Sequence, residues 1–73
     1  MFRRKTYHYV VDGLTDASAA VLRTSLATVP EIHGSVVSVG RGTIEVDATR
    51  DVADEIRLAC DVAGVAYRTR ARL

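Results

Sequence analysis

Seventy-three residues, 48% of them hydrophobic and with a net charge of +1, exclude several domains and argue against disorder, since the apolar share can build a core. A domain of this size buries only about 60% of its unfolded surface, so its margin of stability is thin. The single cysteine, Cys60, excludes an internal disulfide, and no Cys/His cluster offers four ligands to a structural metal.

Tyr7 to Val11 is rich in aromatic and β-branched residues and predicts a first strand, broken by Asp12-Gly13. Thr15 or Asp16 can then cap a helix, because a short oxygen-bearing side chain accepts from the free N–H groups of a first turn. Ser18, Leu22, Leu26 and Val29 recur at helical spacing and form one buried stripe. Pro30 cannot continue the helix, which should end near Thr28 or Val29. Ser35 to Val39 and Thr43 to Asp47 predict a strand pair, with Gly40-Arg41-Gly42 giving the positive-φ positions of a hairpin. Asp51 should cap a second helix that buries Val52, Ile56, Ala59 or Cys60, and Ala63, and that Gly64 ends in a left-handed conformation. Val65 to Leu73 alternates and predicts a fourth strand.

The order is strand, helix, strand, strand, helix, strand. It predicts an α+β, ferredoxin-like βαββαβ domain over residues 1–73: a four-stranded antiparallel sheet with both helices on one face. Right-handed crossovers place strands 1 and 3 in the centre, strand 4 beside strand 1 and strand 2 beside strand 3. The other face stays open to solvent or a partner.

No stretch is apolar over the about 20 residues needed to cross a membrane. Met1-Phe2-Arg3-Arg4-Lys5 begins as a signal peptide does, yet Thr6-Tyr7-His8 and Asp12-Gly13 supply no apolar segment behind it. A cytoplasmic, free-standing protein is the expectation.

Several residues then match a known pattern. Val11-Asp12-Gly13-Leu14-Thr15 stands where heavy-metal-associated domains have a hydrophobic-x-Gly-Met-Thr run before their metal loop. Leu22, Leu26, Val29 and Ile32 match that family's apolar first helix and turn, and Ala59 to Gly64 matches its Ala-Ile-x-x-Ala-Gly stretch. Over nearly its whole length the chain resembles this family of copper chaperones, mercury-binding proteins and metal-pumping ATPase domains. The loop departs from the pattern. Where the family has Cys-x-x-Cys, this chain has Thr15-Asp16-Ala17-Ser18. Aligned on Gly13, the cysteines become Asp16 and Ala19; aligned on the helix stripe, they become Thr15 and Ser18. Soft monovalent copper needs thiolate sulfur, which hydroxyls and a carboxylate do not replace. No resident metal or cofactor is therefore expected, with weak Cu or Zn binding by Asp16 and a histidine or Cys60, within one chain or between two, as the alternative. Cys60 falls at a family position that is normally aliphatic and is better explained as a small core residue.

No nucleophile, base and orienting group can be assembled, so an enzyme is not expected. Asp12 and Asp16 offer too few oxygens for calcium, which wants about six to eight. His8 lies in strand 1 and His33 in the turn after Pro30, near strand 2; strand 3 separates strands 1 and 2, so the two imidazoles should not meet. Gly40-Arg41-Gly42 lacks the spacing of a phosphate loop.

The charge is unevenly distributed. Arg3, Arg4, Lys5, Arg68, Arg70 and Arg72 occupy the two ends, and the segment between holds four basic and nine acidic residues. Strand 4 runs back along strand 1, which gathers these six at one corner. Simple alternation puts Arg68, Arg70 and Arg72 on the open face and Val65, Tyr67, Thr69 and Ala71 toward the helices. This corner can guard the edge, select an acidic partner or bind anions. Nucleic acid is disfavoured, because stacking wants aromatics on the open face and Tyr7, Tyr9 and Tyr67 are expected to face the helices. The first helix has an apolar outer side of Ala20, Val21, Thr24, Ala27 and Thr28, which suits a protein partner or a second copy. The resemblance implies docking around the loop and first helix. The expected contact is Asp12, Leu14, Asp16, Val21 and Thr24 with Arg68, Arg70 and Arg72, toward a metal-transport protein or a homodimer mate.

Overall fold

The computed structural model describes residues 5–71, so Arg3, Arg4 and Arg72 of the predicted basic corner lie outside the described residues. The elements are β1 (Lys5–Asp12), α1 (Asp16–Leu26), β2 (Ile32–Ser38), β3 (Thr43–Ala48), α2 (Ala53–Ala63) and β4 (Ala66–Ala71). The strands form one antiparallel sheet in the order β2-β3-β1-β4, the predicted βαββαβ topology.

The core forms between one face of the sheet and the two helices. Tyr9 and Val11 of β1, Val37 of β2, and Ile44, Val46 and Ala48 of β3 meet Ala19, Leu22 and Leu26 of α1 and Ile56, Ala59 and Cys60 of α2. Strand residues two apart share a face and helix residues three or four apart share a side, so each element contributes one stripe. Tyr7 and Tyr67 pack against this cluster on the helix side, as predicted.

The element ends differ from the sequence reading for local reasons. α1 stops at Leu26, because the Thr28 and Val29 amides bond the Ser25 and Leu26 carbonyls three residues back, which tightens the last turn. β2 starts at Ile32, with a register irregularity between Ile32 and Gly34. Between β2 and β3 only Gly42, not Gly40, has a positive φ, at 64°. Its amide bonds the Ser38 carbonyl at 2.9 Å and its carbonyl accepts from Val11 N–H at 2.9 Å, tying the hairpin to β1. Val52, rather than Asp51, is the N-cap residue of α2. Asp51 acts one position earlier: its Oδ1 accepts from Ala53 N–H at 3.0 Å. Gly64 ends α2 at φ 75°, as predicted.

Candidate functional site

The loop after β1 leads into α1 through a closed set of hydrogen bonds. Thr15 is the N-cap, and its Oγ1 accepts from Ser18 N–H at 3.1 Å. Ser18 Oγ in turn accepts from Thr15 N–H at 2.8 Å. This is a capping box with serine in the place usually held by Glu or Gln. Ser18 is buried at 8% exposure, and Ala19 behind it is fully buried. Asp16 is exposed in the first turn, where its charge complements the helix dipole.

Each donor of the predicted loop is thus oxygen, and the Thr15 and Ser18 oxygens already serve the helix start. The donor set does not fit a soft metal ion. Cys60 lies elsewhere, on α2, with no exposed surface, and burial raises its thiol pKa, with the Asp61 charge adding to the shift. Asp16, by contrast, is exposed in the first turn of α1. His8 sits on β1 opposite Glu45, while His33 sits at the irregular start of β2, with β3 between them. Among the described residues no group of three or more His, Cys, Asp and Glu side chains could hold a metal ion.

The basic corner departs from its prediction. The β1–β4 pairing shifts register between Val10 and Val11, so Val11 faces Tyr67 while Tyr9 faces Arg70. One extra residue in a strand turns those beyond it to the other face. Arg70 therefore lies on the helix side, where its Nη1 meets Asp51 Oδ2 at 2.9 Å. Thr69 and Ala71 oppose Val10 and His8 on the open face, the reverse of the expectation. Arg68 stays by the loop and pairs with Asp12 at 3.2 Å. Both described arginines of β4 are thus partnered by acids of this chain, which weakens the corner as an anion site.

Sequence reasoning missed the network that holds Arg70. Tyr9 Oη donates to Asp51 Oδ1 at 2.8 Å and accepts from Val52 N–H at 3.2 Å. Burial first, and then the bond to Asp51, push the phenol well above its ordinary pKa, so it stays protonated as a donor. A tyrosine in an otherwise apolar strand pattern was the available signal, since a buried hydroxyl needs a partner.

The outer side of the helix pair matches the prediction for α1. Ala20, Val21 and Thr24 are exposed, Val21 at 40%. Leu14 is half-buried against the core, so part of its side chain is withdrawn from the expected contact. α2 adds two residues that the sequence reading passed over, Leu58 at 66% and Val62 at 75% exposure. They stand one helical turn apart, off the buried stripe, and border a shallow groove of about 240 Å³ with Ser25, Thr28 and Val29.

No family model matches the chain, and no curated protein matches it. Solved structures do. The N-terminal domain of ZntA in the apo form superposes with a TM-score of 0.81 at 20% identity, over 92% of this chain and 93% of that one. The yeast copper transporter domain Ccc2a superposes at 0.79 and 19% identity, over 96% and 97%. The Cu(I)-loaded first domain of the human copper chaperone for SOD1 gives 0.71 and 15%, over 94% and 99%. The chain has the fold of heavy-metal-associated domains. At these identities the likeness establishes fold and leaves the site to be argued from its own residues. Among the described residues, no helix of this heavy-metal-associated-like domain is long and apolar enough to cross a membrane.

Proposed function

We propose that the chain is a non-enzymatic, cytoplasmic interaction module of metal handling, which keeps a metal-trafficking fold and docks a protein partner without carrying the ion. The observation that supports this reading is the helix start. Where a soft-metal loop would present two sulfurs, Thr15 and Ser18 bond to each other and to the backbone, while the neighbouring side of α1 stays apolar and exposed. ZntA, Ccc2a and the chaperone for SOD1 are named for the zinc or copper they meet; the likeness suggests a partner from that sphere, a metal-transport protein.

The contact comprises Asp12, Asp16, Val21 and Thr24, with the exposed part of Leu14. Arg68 borders it through Asp12 and favours an acidic rim on the partner. Arg70 is occupied by Asp51, so it contributes little.

A photo-crosslinking residue placed at Val21 in living cells tests this, with the same residue at Thr43 on the opposite sheet face as the control. A metal-transport or metal-binding protein crosslinked from Val21 and not from Thr43 is the expected product. A second copy crosslinked from Val21 would make the module a homodimer instead. Identical products from both positions, or none from Val21, would contradict the proposal.

A further inference from the structure

The two edges of the sheet are defended differently. β4 carries Arg68, Arg70 and a register irregularity, features that discourage strand addition. β2 reads Ile-His-Gly-Ser-Val-Val-Ser, with no lysine, arginine, acid or proline, and pairs regularly with β3 from Gly34 to Ser38. An edge of this kind is a template for another extended chain.

Its outward groups can be assigned. The Ser38 carbonyl accepts from Gly42 N–H inside the hairpin, so it points toward β3. Backbone groups alternate in direction along a strand, which turns those of Ser35 and Val37 away from the sheet. The Val37 carbonyl accepts from Arg23 Nη2 of α1 at 3.3 Å, consistent with that direction.

Charge specifies what the edge would take. On the open face Glu45 and Asp47 of β3 stand opposite Val36 and Gly34. A Cβ at Gly34 would lie 3.8 Å from Asp47 Oδ2, while Asp47 Oδ1 accepts from Thr6 Oγ1 of β1 at 2.8 Å, so one oxygen of the carboxylate faces the gap that Gly34 leaves in β2. Gly34, Ser35, Val36, Glu45 and Asp47 line a shallow depression of about 240 Å³. Neither acid belongs to an ion pair among the described residues.

We propose that the outer edge of β2 binds an extended segment of a partner protein with basic side chains at alternate positions, added to the sheet as a fifth strand. Its main chain pairs with Ser35 and Val37, displacing Arg23 from the Val37 carbonyl. An added strand lies about 5 Å outside β2 and about 10 Å from β3, a gap that lysine or arginine reaches across to Asp47 and Glu45. Val36, 57% exposed, receives the apolar stem of such a side chain. A second copy is the poorer occupant, because β2 against β2 gathers the Glu45 and Asp47 of both chains on one face. This surface is separate from the outer side of α1, so the two proposals stand or fall independently.

The test titrates ¹⁵N-labelled protein with a synthetic Val-Lys-Val-Lys-Val-Lys peptide and with its glutamate counterpart. Amide shifts concentrated at residues 34–38 with the lysine peptide alone are expected. Glu45→Gln with Asp47→Asn, which leaves the β2 backbone intact, should weaken binding about tenfold or more, as loss of charge-assisted hydrogen bonds does. Ser35→Pro removes an outward donor and spares the ladder to β3; it should abolish binding with the folded spectrum retained. Shifts with both peptides or with neither, or affinity unchanged in the double variant, would overturn the proposal. A concentration-dependent dimer whose interface maps to residues 34–38 would also overturn it, by giving the edge to a second copy.

Discussion

Tyr9 shows how one polar atom can organise the end of a small core. Its ring is fully buried, and its hydroxyl joins β1 to the start of α2 through Asp51 and Val52. Asp51 passes the connection on to Arg70 of β4, so three elements meet at one carboxylate. Tyr9→Phe removes the donor and leaves Val52 N–H without its acceptor, at a cost of about 1–3 kcal/mol. Urea denaturation should show a lower midpoint with an unchanged slope. Cys60 illustrates the opposite case, a reactive group made inert by packing. Its pKa is raised in the folded state, so the fold prefers the protonated thiol. That contribution is complete below the pKa of the unfolded thiol and is lost as pH rises through the folded value. Iodoacetamide at pH 8 should label the native protein at less than about a hundredth of the rate seen in urea, because labelling needs an opening of the fold. Equal rates would place Cys60 at the surface and revive it as a ligand.

Elements whose identity rests on local pattern were legible in the sequence. The stripes of both helices and the glycine stop at Gly64 follow from spacing and from backbone freedom. The structure buries Ser18, Leu22 and Leu26 and, on the second, Val52, Ile56 and both Ala59 and Cys60, while Val29, beyond the end of α1, and Ala63 are half-buried. The helix start was legible to within one residue: the sequence allows Thr15 or Asp16 as N-cap, and the structure uses Thr15. What alternation alone misplaced was the face of Arg70, because an irregularity between paired strands depends on both strands and leaves no mark on either alone. The exposed pair Leu58 and Val62 was legible and overlooked, since both residues lie off the stripe that α2 buries. The hairpin offers a direct check on a glycine that the fold needs. Gly42 has φ 64°, and a Cβ there would come within 2.9 Å of the Val11 carbonyl oxygen. Gly42→Ala combines backbone strain with a collision against β1, and should destabilise by more than about 1 kcal/mol. Gly40→Ala, where nothing lies within 4 Å, is the matched control and should change the thermal midpoint little.

The molecule as a whole has the architecture of heavy-metal-associated domains. Its sheet order and helix placement are shared with zinc- and copper-handling domains over more than nine-tenths of the chain. The residues at the helix start are not of the kind that hold soft ions. Oxygen donors that cap a helix and thiolates that bind Cu(I) ask different things of the same loop: the first closes on itself, the second must leave its donors free. The fold does not depend on the donors of that loop, because its core lies between the helices and the sheet. The measurement that tests this most directly is a native mass spectrum of the reduced protein, taken with and without equimolar Cu(I) and Zn(II). The mass of the metal-free chain in every sample is the result predicted here; one metal ion per chain at equimolar concentration, lost in Cys60→Ala or Asp16→Ala, would contradict it.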